Sequence, residues 1–366
     1  MAQEASAPVA PRKPGQEEVR RHMLTHLPYA PWCEACIKGR GREAAHRRRA
    51  QPEEGSFEEV QLDYFFANVR QQEGGPEQAS TLKHLAVYAP RYGYGAASTV
   101  LVKGASDSYA VGFVKAFLNE VGFNGPLLIQ TDSERSIQDL ARAVANSREA
   151  RTVLRHTPVG DHQANGGVER WIQSVCGMAR TLLADLESNY GVRLVESSVL
   201  IPWVIRHSGW LLSRFSQDSA KHTPFQRVHG RVYTGDVFTF AETILGKECL
   251  SAPERRPKLE DGFVRGIWLG RSTSSGEHLL GTTAGVVRCR TARRVPEEDQ
   301  HNVELLTNMR GAPWNAAGGR TVQLEGAQPQ PPEDRQVGKF ASDFRRFIQD
   351  SGPTPNCSGC QYPAGG

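Results

Sequence analysis

The sequence predicts an α/β chain, a mixed sheet covered by helices with a smaller β-rich module after it. Three observations predict it. Residues 57–69 (FEEVQLDYFFANV) and two later runs are strand-like, rich in aromatic and β-branched residues. Helical spacing and a short buried strand then alternate up to residue 188. From residue 231 the pattern changes to short strands broken by turns, as in a small barrel or sandwich.

Residues 1–18 are rich in Ala, Pro and Glu and are expected to be disordered. Residues 19–27 suit a short helix, and Pro28 and Pro31 break any helix through 28–36. Residues 40–55 (RGREAAHRRRAQPEEG) read as a linker, basic and then polar. A strand is expected over Val60–Phe66. HLAVYAP and AASTVLVKG give two more, joined by a turn at RYGYG. Tyr109, Phe113, Ala116 and Phe117 place a helix over Ser106–Glu120. LLIQTD is a buried strand, Ser136–Ser147 a helix, and TVLRHTPVG a last short strand and turn. The strongest helix covers 165–188, where Val168, Trp171, Ile172, Val175, Ala179, Leu182, Leu183 and Leu186 form one stripe. Asn165 and the following glycines offer its N-terminal cap. A second apolar helix is expected over Ser197–Phe215, and short strands at VYTGDVFTF, GFVRGIWLG, EHLLGT and GVVRCRTARRV.

The chain therefore divides into 1–18, 19–50, a core over 55–225, a β-rich module over 226–298, and a Pro/Gly-rich, mostly disordered tail over 299–366. With 36 glycines and 22 prolines, linkers or such a tail are expected. There is no run of 18 apolar residues and no leader-like apolar stretch, so neither a membrane partner nor secretion is expected. Seven cysteines without a leader read as reduced thiols and a metal site rather than a disulfide framework.

The net charge of +4 excludes a histone-like protein, but the charge is uneven. Residues 1–50 carry ten Lys/Arg against five Asp/Glu, and 251–296 carry nine against four. Such ends suit either a polyanion binder with separate contact modules or two solvated faces. The Arg47–Arg49 run divides in the same way, between a DNA or nuclear-import contact and a solvated linker.

Three acids stand out by position. Asp63 lies inside an apolar strand, Asp132 ends LLIQTD, and Glu169 opens the strongest helix. Charged groups are seldom buried unless they are paired or metal-bound. Acids at a strand end and a helix start converge at the carboxyl edge of a sheet. Three carboxylates there suit two hard cations such as Mg²⁺ or Mn²⁺, which serve phosphoryl transfer.

Near Glu169 the sequence reads HTPVGDHQANGGVERWIQSVCGMARTLL, with Thr157-Pro158, Gln163, Asn165, Gly166, Glu169 and Arg170 in order. Downstream stand HTPFQRVHGR and KLEDGFVRGIWLGRSTSSGEHLL…VVRCRTARRV. With the acid spacing, these resemble the integrase of copia-type LTR retrotransposons, within the retroviral integrase superfamily, over roughly residues 20–296. The resemblance implies an RNase H-like mixed sheet flanked by helices, a small N-terminal zinc-binding module and a C-terminal SH3-like β-barrel that binds DNA. It implies Asp63, Asp132 and Glu169 as catalytic metal ligands, and DNA strand transfer by two-metal in-line transesterification. Gln163, Asn165, Arg155 and Arg170 would then contact DNA. A homo-multimer acting in the nucleus, with a cytoplasmic particle or polyprotein stage, is implied as well. One departure is the segment after the second aspartate, TDSERSI, which lacks the family's glycines and puts Glu134 either near the metal site or in solvent. That departure and the missing polymerase segments support an alternative, a catalytically inactive, transposon-derived DNA-binding remnant or polyprotein fragment.

His22, His26, Cys33 and Cys36 read H-x3-H-x6-C-x2-C, a tetrahedral Zn²⁺ ligand set. The interval between the pairs is short for the resembling family, so a shortened zinc knuckle and a degenerate remnant both stand. Cys357 and Cys360 read as exposed thiols, and Cys176, Cys249 and Cys289 as buried or half-buried small apolar groups. Trp32, Trp171, Trp203, Trp210 and Trp268 read as core residues.

Overall fold

A computed structural model describes residues 11–12, 14–40, 57–67, 82–156, 165–195, 198–249, 259 and 261–317. Gln163, the Arg47–Arg49 run and the Cys357/Cys360 pair lie outside the described residues.

The central strand is β1 (Glu58–Phe66). It pairs antiparallel with β2 (Lys83–Ala89), which pairs antiparallel with β3 (Tyr94–Val100). On its other side β1 runs parallel to β4 (Leu127–Thr131), and β4 runs parallel to β5 (Thr152–His156). The order β3-β2-β1-β4-β5 is a mixed sheet, as the sequence predicts.

Alternation along β1 assigns its two faces. Val60, Leu62 and Tyr64 pack with α3 (Ser108–Val121) and α4 (Arg135–Asn146). Asp107 caps α3, accepting from the amides of Tyr109 (2.9 Å) and Ala110 (3.4 Å), and Gly122 ends it at φ 79°. In α4, Ile137, Leu140, Ala141 and Val144 form one buried stripe. On the opposite face Phe65 joins a core built from α5 (Gly166–Tyr190) and α6 (Leu200–Phe215). A short helix, α7 (Pro224–His229), begins with a Thr223/Gln226 capping box.

Strands β6 (Thr243–Glu248), β7 (Phe263–Arg271), β8 (His278–Thr282) and β9 (Gly285–Arg294) close into a barrel. Ile244, Trp268, Leu280 and Cys289 fill it. Its outer face shares the α5/α6 core through Ile267, Leu269 and Leu279.

Several expectations are corrected. VYTGDVFTF is not a strand: its aromatic side chains serve two different cores, and among the described residues no ladder pairs with it. Tyr233 packs on Trp210, Phe215 and Phe225, while Phe238 plugs the barrel beside Trp268. The strand that sequence reasoning missed is β6, whose signal, TILGKE, is interrupted by Gly246. The N-terminal helix, α1 (Gln16–Met23), starts earlier than expected, inside the segment read as disordered. A further helix, α2 (Glu34–Arg40), begins just past the prolines. The segment read as a tail from 299 contains α8 (Val303–Asn308), because Leu306 and Met309 are buried in the α5/α6 core. Trp203 Nε1 donates to Gly311 O at 2.9 Å, which anchors the residues after α8. Cys249 is exposed rather than buried, whereas Cys289 is buried and Cys176 half-buried. No described helix is long and apolar enough to cross a membrane.

Candidate active site and metal centre

Parallel pairing of β1 with β4 sets the first cluster. Gln61 stands opposite Gln130 in register. Two positions further on are Asp63, still within β1, and Asp132, the residue just past the end of β4. Strand alternation puts Asp63 on the α5 side with Gln61 and Phe65, and Glu169 lies in the first turn of α5. Asp63 and Asp132 are half-buried, and Glu169 is exposed.

The charges of the other acids are felt at Asp63, but among the described residues the only group of three or more His, Cys, Asp or Glu side chains within ligating range of one another is His22, His26, Cys33 and Cys36. Burial pushes the Asp63 carboxyl up to about 7; the charges of Asp132, Glu169 and Glu134 add to it, and the Tyr64 amide opposes it. Each additional negative charge in a partly desolvated site disfavours ionisation of the first.

The altered turn after Asp132 is a defined structure. Asp132 Oδ1 accepts from the Glu134 amide at 3.1 Å, forming an Asx turn that leads into α4. Glu134 is taken by a cation: Lys103 Nζ lies 2.8 and 2.9 Å from its oxygens. Burial would raise the Glu134 pKa, but Lys103 and Ser136 outweigh it and lower it. Lys103 also stands 5.0 Å over the Tyr64 ring and 4.9 Å over the Phe66 ring.

The start of α5 is capped differently from expectation. Asn165 occupies the cap position, but its side chain makes no cap hydrogen bond. Its buried Oδ1 has no partner among the described residues. Gln61 supplies the missing acceptor from across the fold, taking the Val168 amide at 2.9 Å and donating to Glu59 at 2.9 Å. Gly167 permits this approach, since a Cβ there would lie 2.6 Å from Gln61 Oε1. Sequence reasoning missed Gln61. Its signal was a polar residue two positions before Asp63, on the same face of an apolar strand.

Arg155, on β5, approaches Gln130 Oε1 at 3.5 Å. Arg170 is exposed and its Nε donates back to Gly166 O at 2.9 Å. The predicted DNA contacts Arg155, Asn165 and Arg170 thus sit on two elements, β5 and the start of α5.

The second cluster is compact. One ligand atom from each of His22, His26, Cys33 and Cys36 lies within 4.8 Å of the others, and all four residues are buried. Cys36 Sγ is 3.3 Å from His22 Nε2 and 3.9 Å from His26 Nδ1, and Cys33 Sγ is 3.7 Å from His26 Nδ1. A tetrahedral Zn²⁺ with bonds of about 2.3 Å to sulfur and about 2.0 Å to nitrogen needs S···N edges of roughly 3.5 Å. The donor set and its spacing therefore fit zinc, despite the short interval in the sequence. His26 reaches its place through a left-handed backbone, φ 53°. The Cys33 thiol, helped by His22 and His26, lowers the Cys36 pKa strongly against burial; contact with Cys36 and burial push Cys33 up. Burial works against charge on His26, but Asp185 and Cys36 outweigh it and bring its pKa to about 9.

On the barrel, Lys247, Arg265, Arg288, Arg290, Arg293 and Arg294 are exposed. Arg290 pairs with Glu277 and Arg294 with Glu242; among the described residues, Arg288, Arg293 and Lys247 make no ion pair.

No family model matches the chain, and no curated protein matches it. Among solved structures it is similar to the simian T-cell lymphotropic virus intasome in complex with PP2A regulatory subunit B56 gamma. That match is 14% identical with a TM-score of 0.35, and covers 72% of this chain and 87% of that one. It is similar to the HTLV-2 integrase catalytic core domain in complex with magnesium (trimeric form), 14% identical with a TM-score of 0.33, over 47% of this chain and 96% of that one. The BIV integrase catalytic core domain matches at 12% identity and a TM-score of 0.30, over 47% of this chain and 94% of that one.

Proposed function

We propose that the chain is an integrase of the copia retrotransposon type, a divalent-metal-dependent polynucleotidyl transferase that inserts element DNA into target DNA. One observation carries the reading. Asp63 is pushed up to about 7 by burial and by the charges of Asp132 and Glu169, while nearby Lys103 is held by Glu134. A half-buried carboxylate that resists ionisation, with two further acids close enough for their charges to be felt, suits a hard cation.

Asp63, Asp132 and Glu169 are the residues that would hold Mg²⁺ or Mn²⁺. Two such ions, when bound, supply charge stabilisation to both the attacking and the leaving oxygen of an in-line displacement. The protein's part is positional. Asp63 is fixed by the central strand, Asp132 by its Asx turn, and Glu169 by a helix start that Gln61 ties to that strand. The reaction joins a 3′-hydroxyl of element DNA to a target phosphorus and breaks the bond from that phosphorus to the target 3′-oxygen, which leaves as a hydroxyl. Arg155, Arg170, Asn165 and Gln163 are assigned to DNA near this edge, and the exposed arginines of the SH3-like barrel to phosphates. Zn²⁺ on His22, His26, Cys33 and Cys36 is structural. Because two element ends are joined in one event, a homo-multimer working in the nucleus is the expected active form.

The test is strand transfer with a short duplex carrying a recessed 3′ end, in Mg²⁺ or Mn²⁺, comparing wild type with Asp132→Asn. Joining that needs metal and is lost in the variant supports the reading. A folded wild type that binds DNA but joins neither this duplex nor cognate ends overturns it in favour of an inactive DNA-binding remnant.

A further inference from the structure

The His/Cys cluster is not self-contained. His26 turns Nδ1 to the sulfurs of Cys33 and Cys36. Its other ring nitrogen, Nε2, is buried without a hydrogen-bond partner and lies 3.6 Å from Asp185 Oδ2. Asp185 belongs to α5, the helix that begins beside Glu169, and its side chain is only 13% exposed. The module also packs directly on α5. A Cβ at Gly39 would lie 2.1 Å from Thr181 Oγ1 and 2.8 Å from Gly177 O. Arg180 Nε donates to Gly39 O at 3.3 Å. Arg40 covers the cluster from the other side, donating to His26 O and, at 3.1 Å, to Cys36 Sγ.

A histidine that ligates a metal through one nitrogen ordinarily gives its second N–H to a carboxylate or carbonyl, which fixes the tautomer and the ring orientation. We propose that Asp185 is the outer carboxylate of His26, a positioning residue through which zinc uptake and docking of the N-terminal module on helix α5 become one linked equilibrium. The proposal rests on the zinc reading above. It adds that the metal site is completed by a residue of the core, outside the four-ligand motif. Linkage is reciprocal: whatever the docked state adds to zinc affinity, zinc returns to the docked state.

The experiment uses the full chain. Zinc affinity is measured by competition with a chromophoric chelator for wild type, Asp185→Asn and Asp185→Glu. Thermal unfolding is followed with zinc and with excess chelator, and Co²⁺ absorption reports the ligand geometry. Asp185→Asn is expected to lower zinc affinity about 10- to 100-fold and to shrink the zinc-induced rise in Tm. Asp185→Glu should recover part of both. In chelator the two chains should melt together, which a purely packing role would not give. Wild-type affinity in Asp185→Asn overturns the role of Asp185 alone. A wild type that takes up no zinc overturns the zinc reading and this inference together. Destabilisation by Asp185→Asn that is equal with zinc and in chelator overturns the linkage.

Discussion

Gln61 Oε1 accepts the amide hydrogen of Val168 at 2.9 Å, so a side chain of the central strand caps the helix that carries Glu169. The two residues are 107 positions apart in sequence. This hydrogen bond thus ties the strand bearing Asp63 to the helix bearing Glu169.

Gln61→Ala is expected to destabilise the protein by about 1–3 kcal/mol, the cost of an unsatisfied buried donor. Urea unfolding measures it. Gly167→Ala should fall in the same range, because its Cβ meets Gln61 Oε1. Both variants should lose strand transfer more than DNA binding. Unchanged stability in Gln61→Ala sinks the cap.

Asp63 makes stability pH-dependent in chelator. Its folded pKa of about 7 lies above the ordinary carboxylate value, so the native state holds the proton longer than the unfolded chain. Its stabilising contribution is full at acidic pH and is lost as pH rises through about 7. Asp63→Asn should flatten that fall and melt higher than wild type at pH 8 without metal, yet transfer no strands. Mg²⁺ should raise the Tm of wild type but not of the variant. Equal pH profiles for the two chains would exclude the raised pKa.

Chelation of zinc, or Cys36→Ser, should undo the N-terminal module, since site formation and folding are coupled in so small a unit. Limited proteolysis should then cleave within residues 14–40 while the sheet core resists. If that segment stays protected in chelator, packing on α5 holds it without metal.

Arg288→Ala and Arg293→Ala are expected to weaken DNA binding about equally for all sequences. Each should make the slope of log K against log salt shallower by about one for every phosphate that the arginine neutralises. Titrations at several salt concentrations decide it. An unchanged slope removes the barrel from the DNA interface.

The sequence by itself determined the elements whose signals are local. Periodicity identified α4 and α5, because one stripe of Ile137, Leu140, Ala141 and Val144 buries only as a helix. Alternation and β-branching identified β1, β2 and β3. Spacing within 15 residues singled out His22, His26, Cys33 and Cys36, which the fold brings together, and position in a strand and a helix start singled out Asp63, Asp132 and Glu169 as candidates. Tertiary structure decided what depends on partners distant along the chain. Asn165 has the right residue type for a cap, but Gln61 reaches the helix start first, and no local pattern encodes that. VYTGDVFTF has strand-like composition, yet Tyr233 and Phe238 are drawn into separate aromatic cores, while weakly patterned TILGKE finds ladder partners in β7 and β9. Glu134 is neither a lone surface charge nor free for a metal, because folding sets Lys103 against it. Asp185 looks like an ordinary surface acid of an amphipathic helix until α2 docks there and turns His26 towards it. Hydrophobic periodicity is written in neighbouring residues, whereas hydrogen-bond and charge partners are chosen by whatever the packed chain brings within a few ångströms.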